Sequence, residues 1–198
     1  MRWNNHGNLR DHHSFLSPSQ HQWLRYDEEK LKKAFYNRRA AAIGTERHAF
    51  AAEAIRLGIK LLYTEGDTLA MYVNDAIDQK MTPEVILCYN EFAFGTADAI
   101  FFDERTMKLK IFDLKTGATP VIKFDDLGFC VLEQCEIYAA YFCLEYDIDP
   151  SLLDIELRIY QNGERFIEVP DLDRLLTICS IVKHHSDILY MLKGETML

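Results

Sequence analysis

Two short apolar runs joined by a charged turn restrict the possible folds and functions of this chain more than any other feature. The first run is GTADAI (residues 95–100) and the second is IFDLKTG (residues 111–117). They belong to predicted strands over 95–102 and 108–114 that are rich in β-branched and aromatic residues, which favours pairing as a hairpin. In such a hairpin Asp98 and Asp113 converge, and the two carboxylates suit one divalent metal ion with Lys115 beside it.

Side chains alternate along a strand, so Asp113 and Lys115 share one side of the sheet while Leu114 can face the core. A structural ion pair at the end of a strand would also explain these two residues. Asp98 favours a metal site, because a carboxylate in an apolar strand is costly to bury unless a metal ion or Lys115 pairs with it. Glu91 is a further carboxylate in this region, either as a ligand or outer partner of the metal or as a surface residue.

The periodicity of the chain predicts an α/β fold. Helices are expected over 26–39, 40–57, 67–79, 127–145 and 172–192. Strands are expected over 85–94, 95–102, 108–114, 154–160 and 166–169. The strand–helix–strand crossover after the third strand indicates a mixed central β-sheet flanked by α-helices on both faces.

One domain is the default for a chain of 198 residues. Residues 1–16 are polar and aperiodic, which indicates an N-terminal arm or mobile tail. We expect a single domain over 17–198, with a helical part (17–82), a sheet core (83–170) and a C-terminal helix (171–198).

The net charge of −9 argues against broad electrostatic attraction to nucleic acid, so any such binding needs a local basic patch. The cations of one such patch are Lys32, Lys33, Arg38, Arg39 and Arg47. No apolar stretch has the length needed to span a bilayer, so we expect a cytoplasmic protein without a membrane partner. Five cysteines without a Cys-x-x-Cys spacing indicate neither a disulfide framework nor a zinc ribbon, and we expect buried apolar roles for them.

Helical spacing adds two further pairs of residues. His48 lies four residues after Gly44, so both lie on one face of a helix. Gln134 and Tyr138 share a face of the helix that follows the Asp113 strand, and both can hydrogen-bond a phosphate or a base. A structural histidine and the polar edge of an amphipathic helix are the plainer interpretations.

Taken together, the motifs resemble the RecB-like branch of the PD-(D/E)xK nuclease superfamily, which includes Cas4-like and phage exonucleases. In the order of that branch they are Gly44 to His48, Gly95 to Asp98, Asp113 to Lys115, and Gln134 to Tyr138. The resemblance covers roughly residues 16–160 and implies a restriction-endonuclease-like core (αβββαβ).

The resemblance further implies a Mg²⁺ or Mn²⁺ site whose ligands are His48, Asp98, Asp113 and the backbone carbonyl of Leu114. Asp98, Asp113 and Lys115 would be the catalytic residues, with Lys115 orienting the attacking water or stabilising the transition state. Gln134 and Tyr138 would position the strand that is cut. The basic patch would contact DNA.

Many members of the branch hold an iron–sulfur cluster through one cysteine before the Gly-x-x-x-His helix and three near the C-terminus. This chain has no cysteine before Cys88 and only Cys179 after Cys143. We therefore expect no iron–sulfur cluster.

The expected function is a metal-dependent DNA nuclease, most simply an exonuclease or DNA-end-processing enzyme of phage or prophage type. It would act on DNA ends or single strands in the bacterial cytoplasm, with a recombination or defence protein as a candidate partner and a homo-oligomer as one allowed state. The alternatives are a catalytically silent nuclease-like fold that binds protein or nucleic acid, and a structure-specific endonuclease.

Overall fold

The computed structural model describes residues 24–117 and 131–195. The helices are α1 (Glu28–Leu57), α2 (Thr68–Asp78), α3 (Val131–Glu145) and α4 (Leu172–Glu195). The strands are β1 (Thr82–Asn90), β2 (Ala93–Asp103), β3 (Lys108–Leu114), β4 (Asp154–Gln161) and β5 (Glu164–Glu168). The expected arm over 1–16 lies outside the described residues, as do residues 127–130 of the expected fourth helix.

The strands form one sheet in the order β1-β2-β3-β4-β5. β3 and β4 are parallel, and the other neighbouring strands are antiparallel. On one face α3 and α4 pack against apolar residues such as Leu87 and Ile111. On the other face α2 and the last turns of α1 pack against Phe112 and Leu114. The prediction of an α/β fold with a mixed sheet flanked by helices is confirmed.

The chain divides into two compact units, with the boundary between Ile43 and Gly44. The described part of the first unit, residues 24–43, includes the first half of α1, whose side chains are mostly exposed. The second unit contains the whole sheet and both apolar clusters. Across residues 24–117 and 131–195, no helix combines the length and apolar character needed to cross a membrane.

Helix ends follow the local sequence closely. Gly58, with φ +67°, follows the last residue of α1. The carboxylate of Asp67 accepts a hydrogen bond from the N–H of Ala70 and caps the start of α2. At Asn162-Gly163 both residues have positive φ, which gives the tight turn expected between β4 and β5.

Two expectations near β1 were wrong. The strand expected over 85–94 begins three residues earlier, at Thr82, and ends at Asn90. The side chain of Asn90 accepts a hydrogen bond from the N–H of Phe92 (2.9 Å), so the chain turns where a continuous strand was expected. Cys88 is exposed, not buried: it lies on β1, an edge strand, and alternation places it on the side opposite the buried Leu87.

Candidate metal centre

Three neighbouring strands bring three carboxylates into one row across the sheet. In the antiparallel register of β1 and β2, Glu84 falls opposite Asp98. In the register of β2 and β3, Asp98 falls one step beyond the last paired residues, opposite Asp113. The expected hairpin of β2 and β3 is present, and it adds a third carboxylate that the spacing of motifs did not indicate.

An imidazole from α1 joins this row. His48 Nδ1 lies 3.2 Å from Asp98 Oδ1, and both side chains are mostly shielded from solvent. One potential ligand atom from each of His48, Glu84 and Asp98 lies within 4.8 Å of the others. The other oxygen of Asp98 accepts a hydrogen bond from the backbone N–H of Leu114 (2.8 Å). Asp98 is therefore fixed by the backbone of β3, with Oδ1 directed to His48.

Asp113 and Lys115 form an ion pair next to this group. Asp113 is 1% exposed, and its Oδ1 accepts a hydrogen bond from Lys115 Nζ at 3.2 Å. Its Oδ2 lies 3.0 Å from the same ammonium group, but within the described structure it accepts no hydrogen bond. The ammonium charge of Lys115 offsets part of the cost of burying this oxygen, and a metal ion would offset more of it.

The carboxylates raise one another's proton affinity. Burial, together with the charge of Asp98, raises the pKa of Asp113 to about 6. Burial and the same charge raise the pKa of Glu84. The hydrogen bond with Asp98 raises the pKa of His48. Burial is the largest cause for the two carboxyl groups, and the hydrogen bond is the largest cause for His48. The charge of Asp98 adds to all three shifts, and a divalent cation would offset that charge.

Lys115 remains a cation in this setting. Burial acts to lower its pKa, but the charge of Asp113 and the hydrogen bond between them more than offset this, so the pKa is raised. A protonated lysine can hold an anionic oxygen but cannot act as a general base.

A chain of hydrogen bonds extends from Lys115 to α3. Lys115 Nζ donates to Gln134 Oε1 (2.8 Å), and Gln134 Nε2 lies 3.1 Å from the Tyr138 hydroxyl. A Cβ added at Gly95 would lie 3.0 Å from Tyr138 Cε1, so glycine allows the aromatic ring to approach β2. The two helical residues and Gly95 thus belong to one contact network with the catalytic candidates.

Gly44 has a similar role on α1. A Cβ added there would lie 3.0 Å from Thr116 Oγ1, in the segment directly after β3. The absence of a side chain lets this turn of α1 approach the end of β3. The same turn of helix leads to His48, which explains why the glycine and the histidine are four residues apart.

The structure corrects one candidate and adds another. Glu91 lies in the turn between β1 and β2, and both its oxygens bind Lys193 Nζ (2.8 and 2.6 Å). At about 3.4 Å per strand residue, this turn is roughly 20 Å along β2 from Asp98, so Glu91 is not a ligand or outer partner. Glu84, and not Glu91, is the further carboxylate beside His48 and Asp98. A strand predicted to begin at 82 would have revealed Glu84 as the partner of Asp98.

The five cations of the basic patch all lie on α1. Lys32, Lys33, Arg38 and Arg39 are exposed on the part of α1 that belongs to the first unit, and Lys32 pairs with Glu28 (2.5 Å). Arg47 is exposed on the second unit. The N–H of Leu114 contacts Asp98, and a ligand role for its carbonyl stays a prediction.

The donor set fits a hard or borderline divalent ion. Carboxylate oxygens suit Mg²⁺, and one imidazole makes Mn²⁺ equally suitable. No protein family model matches this chain, and no curated protein and no solved structure matches it.

Proposed function

We propose that this chain is a metal-dependent deoxyribonuclease that hydrolyses phosphodiester bonds on a restriction-endonuclease-like core of the RecB-like type. One observation supports this above all others. Four residues from distant parts of the chain form one connected group where β2 and β3 separate: His48, Asp98, Asp113 and Lys115. A silent fold that only binds a partner has no need for a buried, mutually repelling set of carboxylates.

His48, Glu84, Asp98 and Asp113 would hold the cation. A divalent ion there would supply charge neutralisation at the scissile phosphate and a lowered pKa for a water molecule. His48 would bind the cation as a neutral imidazole through one ring nitrogen. Its contact with Asp98 and the N–H of Leu114 would keep the two side chains oriented.

Lys115 would stabilise negative charge on the phosphate or hold the attacking water. Its ammonium group lies between the Asp113 carboxylate and the amide oxygen of Gln134, which fixes its position. A preorganised cation of this kind acts without reorganisation as charge develops in the transition state. Gln134 and Tyr138 would position the DNA strand through the outer ends of the same network.

The decisive experiment uses end-labelled linear DNA with Mg²⁺, Mn²⁺ or EDTA. We expect wild type to degrade it with either metal and not with EDTA, and Lys115→Ala to lower the rate by at least about 100-fold. Lys108→Ala is the matched control, because it removes a lysine from the same strand whose ammonium group instead pairs with Asp154 (2.9 Å). Equal degradation by wild type and Lys115→Ala would reject the assignment.

A covalently closed circle separates the two modes of cleavage. An exonuclease or end-processing enzyme leaves the circle intact, whereas an endonuclease nicks or linearises it. We propose the exonuclease mode, on the resemblance to phage and prophage enzymes.

A further inference from the structure

One face of the ribbon formed by β1 and β2 is exposed in the described part of the chain. The register pairs Ile86 with Thr96 and Cys88 with Phe94, so the four side chains share one side of the sheet. All four residues are exposed, Ile86 to 63% and Phe94 to 61%. We call the surface defined by Ile86, Cys88, Phe94 and Thr96 the open face.

The open face continues directly from the metal centre. Glu84 lies two residues before Ile86, and Asp98 lies two residues after Thr96. Side chains on one face of a strand recur about every 6.8 Å, so Phe94 lies roughly 14 Å along β2 from Asp98. A linear ligand held at the metal centre can therefore extend along the ribbon to an aromatic ring.

The other side of the ribbon is already filled. Leu87 is buried in the cluster with α3, and Gly95 lies against the ring of Tyr138. The open face differs from that side because its four residues are exposed, and their side chains are apolar or small and polar. A ligand that binds there must offer apolar surface, which the bases of an unpaired nucleic acid strand provide.

A peptide strand is a poorer occupant of this region. The backbone N–H of Cys88, on the edge strand, donates to Glu145 Oε2 at 2.7 Å. A strand added to this edge would have to displace that carboxylate. Binding through the face of the ribbon leaves the hydrogen bond in place.

We propose that the open face binds the unpaired bases of a single-stranded DNA end and leads that strand to the metal centre, with Phe94 stacking on one base. This inference rests on the proposed nuclease function and assigns a binding surface to the single strands expected as its substrate. Stacking on an aromatic ring tolerates any base, which suits an enzyme that degrades DNA of any sequence. A duplex keeps its bases inside and cannot use Phe94 in this way.

The test is the affinity of fluorescein-labelled oligo(dT) for the full chain in EDTA, measured by fluorescence anisotropy. We expect Phe94→Ala to weaken binding by about 5- to 150-fold. Phe94→Trp should restore the affinity to within about twofold, because the larger ring stacks at least as well. A duplex of equal length should bind both variants as it binds wild type.

Tyr146→Ala is the matched control. Tyr146 has a similar exposure (55%) but lies just after α3, beyond the filled side of the ribbon, and we expect its removal to leave binding unchanged. Circular dichroism and thermal melting should show that all three variants fold, since the Phe94 ring is mostly outside the core.

Unchanged affinity of Phe94→Ala for oligo(dT) would overturn the inference, and so would the absence of any binding by wild type. It would also be overturned if Phe94→Ala removed a dimer of the free protein without changing DNA binding, because the open face would then bind a second copy. Parallel incubations with Mn²⁺ separate this inference from the proposed function. If binding depends on Phe94 but wild type cleaves no DNA, the proposed nuclease function is rejected and the binding surface is retained. If wild type cleaves DNA but binding does not depend on Phe94, the nuclease function is retained and the binding surface is rejected.

Discussion

Glu84 combines an electrostatic cost with a backbone cost in one residue. Its carboxylate lies next to Asp98, and its φ of +54° is in the left-handed region within a strand. A residue with a side chain costs about 1–2 kcal/mol there compared with glycine. Such costs cluster at functional sites, and here the turned backbone brings the side chain to the candidate metal centre.

Replacing Glu84 should therefore separate stability from metal binding. We expect Glu84→Gly to leave the metal-free protein as stable or up to about 1 kcal/mol more stable, since the gain at positive φ exceeds the entropy of the unfolded glycine. Isothermal calorimetry should show Mn²⁺ binding weakened by about tenfold or more. Lys80→Gly, also at positive φ (57°), is the control and should leave Mn²⁺ affinity unchanged. A marked loss of stability in Glu84→Gly would contradict the prediction.

The ionisable residues of the centre give the metal-free protein an unusual pH dependence. The folded pKa of Asp113 is raised from 3.8 to about 6, so its charge destabilises the fold as pH rises through that interval. The raised pKa of His48 acts in the same direction, because its stabilising contact with Asp98 is complete below pH 6.5 and is lost as pH rises through the folded pKa. Both effects lower stability from acid to neutral pH.

Urea unfolding in EDTA at pH 4.5 to 8 checks this dependence. Between acid and neutral pH the free energy of unfolding should fall by up to about 3 kcal/mol less in Asp113→Asn than in wild type, because the amide does not ionise. Saturating Mn²⁺ should reverse the slope for wild type, since the ligands bind metal only after losing protons. Asp173→Asn, on the exposed surface of α4, serves as the control. If the free energy of unfolding changes with pH equally in wild type and Asp113→Asn, the buried carboxylate does not govern the pH dependence.

At the scale of elements, the contact between β2 and α3 positions the hydrogen-bond network that joins Tyr138 and Gln134 to Lys115. Gly95→Ala would place a methyl group 3.0 Å from Tyr138 Cε1 and displace the ring. We expect a loss of about 1–3 kcal/mol in the free energy of unfolding and a 10- to 100-fold loss of nuclease activity. Gly117→Ala, whose new Cβ would meet no atom within 4 Å, is the control. Gly95→Ala with full activity would exclude Tyr138 from the positioning of DNA.

Elements with a local signal could be predicted from the sequence, and those defined by pairing could not. β3 was predicted at its observed bounds, 108–114, because apolar alternation and the turns around it are both local. β1 was misplaced because the turn at Glu91-Phe92 depends on one side chain of Asn90 between apolar neighbours. The same limit hid Glu84, whose relation to Asp98 exists only in the register of two strands. Asp98, Asp113 and Lys115 could be grouped from the spacing of two strands. His48 joined them only through the resemblance of the four motifs to one family, because helical spacing alone is equally typical of a structural histidine.

At the scale of the whole molecule, the charge distribution opposes DNA binding outside a few regions. The net charge is −9, yet four cations lie close together on the first unit: Lys32, Lys33, Arg38 and Arg39. Reversing all four to glutamate should weaken DNA binding and reduce the slope of log K against log salt by up to about three. Anisotropy titrations at several salt concentrations measure this slope.

The control for this experiment reverses four cations of the second unit: Lys60, Lys80, Arg105 and Lys183. If the two sets change affinity and salt slope equally, the effect belongs to net charge and not to a DNA contact at the basic patch.

The distance along the chain between His48 and the β2–β3 hairpin determines when the complete centre can exist during folding. The hairpin closes a short loop, whereas His48 of α1 meets Asp98 only after α2 and β1 have been passed. Contacts between distant segments form late because closing a long loop costs more entropy. A cation at the proposed site would therefore meet its full set of ligands only late in folding, and it would retard unfolding more than it would speed folding.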